Sequence, residues 1–525
     1  MLKELSVSMR IGIDVGGTNT DAVLMQGTQV LAKIKTPTTP DVSAGIFKAL
    51  RYLLDTSRMP VEQIRGVMIG TTHFTNAVVE RRRLQETAAV RLGLPATAAL
   101  PPMVDWPADL RDTIGNHKFL VHGGHEFDGR RISAIQPDEL RDVVREIGRR
   151  GIRSIAICSV FSPVNPEDEV QAAEIIREVL PDADISLSHE IGRMGLLERE
   201  NAAILNACLQ DLARRTIGAF RDALAKAGIS APLYITQNDG TLMNADYAER
   251  YPVSTFSSGP TNSMRGAAFL SGLKDAMVVD IGGTTSDVGA LTHGFPREAS
   301  VAVQVGGVRT NFRMPDVLSI GLGGGSLVQD DPLKIGPHSV GYELTQKALV
   351  FGGDTLTATD IAVTAGYADI GDRSQVTHLG EELVARAVDR IHAMIEEAID
   401  RMKLAAGDVP VVLVGGGSVL INRVLRGASE VLKPQHFEAA NAVGAAIAQI
   451  SGEVDRVFSL DKLSRDEALA QAKEEARQRA IEAGAAPDSV EIVDVEDVPL
   501  AYLPSNATRI RVKAVGDLQI REGVA

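Results

Sequence analysis

Two glycine-rich turns far apart in the chain carry nearly the same text. The first is Ile11-Gly12-Ile13-Asp14-Val15-Gly16-Gly17-Thr18-Asn19-Thr20-Asp21, and the second is Val278-Val279-Asp280-Ile281-Gly282-Gly283-Thr284-Thr285-Ser286-Asp287. In each, an apolar β-branched run ends in Asp, then come Gly-Gly, short hydroxyl or amide residues, and a second acid. A buried strand delivers the first Asp. The glycines let the backbone turn tightly and approach an anion, and the short polar side chains add donors. One such turn is common in hairpins. Two copies in one chain suit a phosphate chain gripped from both sides of a cleft.

A third turn follows in the order such a cleft needs. Val411-Val412-Leu413-Val414 reads as a buried strand running into Gly415-Gly416-Gly417-Ser418, where a flat ring can lie against bare backbone, and Val419 to Leu425 can start a helix. Ala439 to Ala448 is a run of small residues fit for close helix packing. This order of two phosphate turns, a ring-binding turn and a small-residue helix resembles the actin, sugar-kinase and heat-shock chaperone ATPase superfamily. The resemblance implies an α/β fold of two actin-like (ribonuclease H-like) lobes around a cleft for ATP and Mg²⁺.

A chain of 525 residues is too long for one ordinary core, so two or three domains are expected. The net charge of −14 argues against nucleic acid as the main partner, since a phosphate backbone needs a basic face. No stretch approaches about 18 uninterrupted apolar residues, so no membrane span is expected. Met1 to Arg10 has no long apolar region and leads straight into a strand, so the expected compartment is the cytoplasm. The two cysteines, Cys158 and Cys208, sit in apolar patterns and read as core residues, not as a disulfide or thiolate metal site. His122 and His125 read as members of a polar loop.

The pattern divides the chain at three places. Residues 9–190 read as a first α/β lobe. Residues 191–450 read as a second lobe holding the second and third turns, with the lobe junction near the uninterrupted helical pattern of 195–228. Residues 451–525 read as a small α+β appendage with a charged helix over 461–483 and short strands at 490–495, 501–503 and 509–515.

Further segments narrow the resemblance. They are Gly70-Thr71-Thr72-His73-Phe74-Thr75-Asn76-Ala77, Ser258-Gly259-Pro260, the dense turn Gly323-Gly324-Gly325-Ser326, Gly336-Pro337 and Thr359-Asp360. Together with the Asp280–Asp287 turn they resemble the type-A ATPase subunits of the hydantoinase/oxoprolinase family over roughly 11 to 450, in a short branch. That family includes ATP-dependent hydantoinases, 5-oxoprolinases and subunits of acetone and acetophenone carboxylases. The chain departs from it at Tyr342 to Lys347, where many members carry a Pro-Gly-Pro-Ala-Cys-like stretch.

The resemblance implies phosphorylation of a carbonyl, amide or enolate oxygen by ATP, with a small cyclic amide (hydantoin- or oxoproline-like) as substrate and a second protein subunit as partner. A homo-oligomer is compatible with it; nucleic acid and membrane are not expected partners. The alternatives are a carboxylase subunit activating a ketone or enolate, a sugar-type kinase, and a regulatory actin-like ATPase without a small-molecule acceptor. Asp14 and Asp280 are the expected catalytic and Mg²⁺-holding carboxylates. Gly16, Gly17, Thr18, Asn19, Thr20, Gly282, Gly283, Thr284 and Thr285 are the expected phosphate contacts, and Gly415, Gly416 and Gly417 the adenosine contacts. Thr72, His73, Asn76, Asp239, Asp316 and Asp360 are the candidate substrate residues.

Overall fold

A computed structural model describes residues 9–519 apart from 18, 39–40, 300–302, 313, 405, 462 and 501–506. Thr18 and the strand expected at 501–503 lie outside the described residues.

The two glycine turns are the bends of two hairpins. Met9–Val15 pairs antiparallel with Asn19–Gln26, and Ala276–Ile281 pairs antiparallel with Ser286–Thr292. The registers correspond: Asp14 lies opposite Asp21 in the first hairpin, and Asp280 opposite Asp287 in the second. The Gly16 N–H donates to the Asn19 carbonyl at 3.0 Å, and the Gly282 N–H to the Thr285 carbonyl at 2.9 Å. The textual repeat is thus a repeat of backbone geometry.

The repeat continues into the sheets. Met9–Val15 is flanked on one side by the antiparallel pair Asn19–Gln26 and Gln29–Pro37, and on the other by parallel strands Ile64–Thr71 and Leu233–Thr236. Ala276–Ile281 likewise has Ser286–Thr292 and Phe295–Pro296 on one side and parallel Val409–Val414 and Ala428–Leu432 on the other. Two mixed sheets of one plan, each with helices packed on it, form the expected α/β architecture of two actin-like lobes.

The connections differ from the sequence division. Leu233–Thr236 and Thr241–Asn244, expected in the second lobe, are strands of the first sheet. Gln449–Phe458 pairs parallel with Thr241–Asn244 and then carries Thr508–Gly516 and Glu491–Pro499, so the C-terminal α+β unit extends the first sheet to nine strands. Its helix Arg465–Glu482, capped by Ser464, lays Ala468, Ala472, Ala476 and Ala480 on that extension. The short apolar run at 233–236 announces a strand, but nothing local says which sheet edge it joins.

Residues 87–187 form a further parallel sheet in the order His117–His122, Thr87–Leu94, Ser154–Ser159, Asp184–Leu187, with its own core. The long helix Leu196–Lys226 packs Ile217, Phe220, Ala223 and Leu224 on the first sheet, and Ala203 to Ala213 beside Trp106 and Phe256. It therefore braces the first lobe, and the chain crosses to the second lobe later, through helix Ser258–Ser271.

That helix crosses Ala440–Ala446 without intervening side chains. A Cβ added at Gly266 would overlap the Ala440 carbonyl, and one at Gly444 the Asn262 carbonyl. A Cβ at Gly12 would overlap the Ala442 carbonyl, so the second of these helices also rests directly on the first hairpin. The small-residue run at 439–448 is explained by this double contact.

Candidate functional site

The helix Ser258–Ser271 ties the two hairpins together through consecutive residues. The Asn262 amide donates to Asp14 at 3.3 Å and to the Thr236 hydroxyl at 3.1 Å. The next residue, Ser263, lies close enough to Asp280 to favour its ionised form against burial. One helical turn therefore borders both motif carboxylates. Gly70 is required beneath them: an added Cβ would overlap the Asn262 amide and stand 2.6 Å from Asp14 Oδ1.

Asp14 and Asp21 face each other with like charge, and the surroundings answer it. Asn441 donates to Asp14 at 3.1 Å and to Asp21 at 2.9 Å. Lys35 donates to both oxygens of Asp21 at 2.6 and 2.7 Å. Burial and then the Asp21 charge push the Asp14 carboxyl up to about 6, against the pull of the two amides. Burial likewise raises Asp280, opposed by Ser263 and Lys35, and pushes Asp287 up to about 6 against a hydrogen bond from Ser319. Buried carboxylates this reluctant to ionise gain from a cation placed among them. The Asn262 Oδ1 is buried without a hydrogen-bond partner, a further polar atom turned to this spot.

The glycine turns present backbone to open space. A Cβ at Gly283 or Gly416 would meet nothing within 4 Å, and Gly17 is exposed. Gly323–Gly325 braces the second turn from behind: the Gly324 N–H donates to the Gly282 carbonyl at 3.0 Å, and Gly325 to Gly283 at 2.7 Å. Gly415, at φ +82°, is pressed on Asp280 and Ile281, and Gly417 on the Gly282 carbonyl, so the third turn leans on the second. Only a 3-10 turn, Gly416–Leu420, follows it where a longer helix was expected; the chain enters strand Ala428–Leu432 instead. Donor-rich turns on both sides and acids between them fit a nucleotide with Mg²⁺, which takes one or two carboxylates plus phosphate oxygens and water.

The remaining expected residues divide. Asn19 and Thr284 are half-buried and Thr285 is exposed at their turns. Thr20 is buried in its strand, and its hydroxyl pairs with Thr38 at 3.2 Å. Thr38, not foreseen, donates to the Gly16 carbonyl at 2.8 Å and stiffens the first turn. The Thr72 N–H reaches the Val15 carbonyl at 3.3 Å, and Asn76 donates to the Thr72 hydroxyl at 3.3 Å. A Cβ on Gly17 would stand 3.4 Å from the Asn76 amide, so helix His73–Glu80 starts against the first turn. His73 is held by Thr71 at 2.7 Å, and burial with the Arg83 charge lowers it to about 4, so at neutral pH it is uncharged.

Asp239 pairs with buried Lys513 at 2.8 Å and lines a cavity described below. Two further candidates have partners in the framework. Asp316 is bound by Arg297 at 2.6 Å. Asp360 is fully buried as a capping-box residue, accepting from Thr357 and from the Val350 N–H at 2.8 Å. Asp360 holds a framework element and both its oxygens are used, while Asp316 gives Oδ2 to Arg297. His122 pairs with Glu139 at 3.0 Å, and His125 Nε2 accepts from the Asn165 amide at 3.2 Å. Among the described residues, no three His, Cys, Asp or Glu side chains gather as a metal-binding group, and no helix is long and apolar enough to cross a membrane. Both cysteines are buried and unpaired.

Comparison with known proteins decides the family. The hydantoinase/oxoprolinase N-terminal region matches residues 10–180, and the hydantoinase/oxoprolinase domain that follows it matches residues 199–372. The chain belongs to the hydantoinase/oxoprolinase family. It is 29% identical over 393 residues to the acetophenone carboxylase gamma subunit of Aromatoleum aromaticum, covering 68% of this chain and 53% of that one. It is 28% identical over 386 residues to caprolactamase subunit alpha of Pseudomonas jessenii, covering 68% of this chain and 54% of that one. This hydantoinase/oxoprolinase chain thus spans about half the length of these curated relatives.

Among solved structures, the ATP-dependent caprolactamase of Pseudomonas jessenii superposes with a TM-score of 0.77 at 19% identity, over 97% of this chain and 88% of that one. A nucleotide-free acetone carboxylase structure gives 0.67 at 18% identity, over 98% and 89%. At such identity these two show the shared fold.

Sequence reading of this hydantoinase/oxoprolinase chain missed Asn262, Ser263, Asn441 and Lys35. The signal for the first three was present: each is a polar residue inside a helix otherwise made of small residues. Such a position is expensive without a buried partner.

Proposed function

We propose that this chain is an ATP-dependent subunit that phosphorylates the carbonyl oxygen of a cyclic amide, hydantoin- or oxoproline-like, so that a partner subunit can open the ring. The observation that carries it is the pair of register-matched hairpins, with Asp14 held by Asn262 and both carboxylates bordered by one turn of helix Ser258–Ser271. Relatives named caprolactamase subunit alpha and 5-oxoprolinase support the cyclic amide, and relatives named as subunits support the partner.

In this reading Gly16, Gly17, Asn19, Gly282, Gly283 and Thr284 hold phosphate oxygens from two sides, with Thr18 assigned by sequence to the same task. Gly415–Gly417 lies against the adenosine. Asp14 and Asp280 hold the metal directly or through water. Bound Mg²⁺ offsets charge on the phosphates, and positioning with charge neutralisation is most of what phosphoryl transfer requires. The helix Ser258–Ser271 keeps both carboxylates in one geometry as the turns engage.

An unactivated amide resists attack because resonance stabilises it; a phosphorylated oxygen is a better leaving group. Heavy oxygen placed in the attacked carbonyl should therefore emerge in inorganic phosphate, assayed with the partner subunit present. Coupled ring opening with no label in phosphate would refute the carbonyl-phosphate step. The second reading is a carboxylase subunit, favoured by the likeness to acetophenone carboxylase gamma and acetone carboxylase beta subunits. It shares the phosphorylation and differs in consuming bicarbonate or CO₂ with a ketone. A regulatory ATPase would leave the carbonyl label untouched.

A further inference from the structure

A cavity of about 590 Å³ opens beyond the end of strand Leu233–Thr236, and its wall includes His189, Arg193, Gln237, Asn238, Asp239 and Ser254. It adjoins the carboxylate site through shared parts. Strand Leu233–Thr236 ends at the Thr236 hydroxyl that Asn262 holds together with Asp14. The next residues, Gln237 to Asp239, line the cavity, and the Thr261 hydroxyl donates to the Asn238 carbonyl at 2.9 Å. Thr261, Asn262 and Ser263 thus reach the cavity wall, Asp14 and Asp280 in turn. The volume suits a small-molecule ligand, and charged and amide side chains in the wall suit a polar one.

His189 stands out in that wall. Its Nδ1 lies 2.7 Å from Oε2 of Glu169, and its backbone N–H donates to the same oxygen at 3.1 Å. Glu169 is fully buried and also accepts from the Ser159 N–H at 2.8 Å and the Ser188 hydroxyl at 2.5 Å. Burial alone would raise this carboxyl, but the bonds from His189 and Ser188 hold it below the usual range. An ionised carboxylate only accepts, so it fixes the proton on Nδ1 and leaves Nε2 as the basic nitrogen.

We propose that this cavity is the acceptor site and that His189, oriented by Glu169, takes the proton that carbonyl phosphorylation releases. The proposal rests on the carbonyl-phosphorylation reading above. When an amide oxygen gains the γ-phosphoryl group, the O–P bond forms and the P–O bond to ADP breaks. The amide N–H proton leaves, and the nitrogen's electrons close a C=N bond. For a ketone the departing proton is the α C–H and the product is an enol phosphate. Either way one proton needs an acceptor, and His189 Nε2 supplies it. The ligand class is a polar carbonyl compound with an acidic hydrogen on the neighbouring atom.

The test uses the full chain with its partner and measures ATP turnover with and without 5-oxoproline, hydantoin, caprolactam or acetophenone. His189→Asn retains a donor toward Glu169, so nucleotide affinity and melting behaviour should stay near wild type. Acceptor-dependent turnover should fall by about 100-fold or more, the scale of general-base catalysis. Turnover within about threefold of wild type would overturn the proton-acceptor role and leave the carbonyl-phosphate reading standing. If no acceptor stimulates the wild-type protein, that reading falls and this one with it.

Histidine carbethoxylation of the wild-type protein, mapped by peptide, covers the case in which the variant fails to fold. Protection of His189 by the stimulating acceptor, beyond any given by ATP alone, supports the assignment. Equal modification with and without acceptor overturns it.

Discussion

Replacing Asp14 by Asn should make the nucleotide-free protein more stable while disabling it. Asp14 is nearly buried and its carboxyl is pushed up to about 6, first by burial and then by Asp21. The direction fixes the sign. A carboxyl whose folded value exceeds its unfolded value holds its proton better when folded. Its contribution to stability is fully present below the unfolded value of 3.8 and is lost as pH rises through about 6. Two pH units correspond to about 3 kcal/mol, the upper limit of what the ionised carboxylate costs the empty site at neutral pH.

Asn at this position keeps an acceptor for one of the two amide donors and gives up the other bond, worth about 1 kcal/mol. Its own N–H₂ can meet the unpartnered Asn262 Oδ1. A net gain of about 1–2 kcal/mol would raise the melting temperature of a chain this long by roughly 1–2 °C. Thermal denaturation in chelator, without nucleotide, at pH 7.5 and pH 5 measures it; the carboxylate's cost falls by about 1.4 kcal/mol between the two, so most of the difference should be gone at the lower pH. Added Mg-ATP should stabilise wild type and not the variant, by the ordinary linkage of binding to folding. A variant that melts below wild type at pH 7.5 with no nucleotide, or gains as much from Mg-ATP, would refute the assignment of Asp14 as a strained metal-side carboxylate.

Asp280→Asn should reduce Mg-dependent ATP turnover by at least about a hundredfold, since it removes charge aimed at the transferring group; steady-state phosphate release checks this. Asn441→Ala should cost about 1–3 kcal/mol in denaturant unfolding, because it leaves Asp14 and Asp21 facing one another without their shared donor. Gly266→Ala places a methyl on the Ala440 carbonyl, and should destabilise by about 2–3 kcal/mol; an unchanged midpoint would mean that the helices separate at no cost. Lys513→Met strands buried Asp239, for a loss of about 3 kcal/mol by the same measurement.

The motifs were legible because they are local. Gly-Gly flanked by a strand and short polar residues can be read without knowing the rest of the chain, and Asp14, Asp280 and their turns stand where that reading puts them. Thr72 and Asn76 lie at the junction of a strand and a helix beside the first turn. Asp360 could be read either way, because a capping box and a ligand acid look alike in text; in the structure Thr357 with Asp360 three residues on is a cap. Sheet membership was not legible. Leu233–Thr236 is too short to declare a lobe, and the parallel neighbour of Thr241–Asn244 arrives some two hundred residues later, at Gln449. Asn262 and Asn441 acquire meaning only once two helices cross, which no single stretch of sequence records.

The crossing also bears on how the site works. Helix Ser258–Ser271 reaches Asp14 through Asn262 and Asp280 through Ser263, while Ala440–Ala446 reaches Asp14 and Asp21 through Asn441. These two helices touch backbone to backbone at Gly266 and Gly444, where there are no side chains to interdigitate. Smooth backbone contacts allow one helix to tilt on the other without unlocking packed side chains. Were the lobes to change their angle about this crossing, Asp14 and Asp280, which lie beside it, would move less than the outer parts of the sheets, including the first sheet's extension by Gln449–Phe458 and Thr508–Gly516.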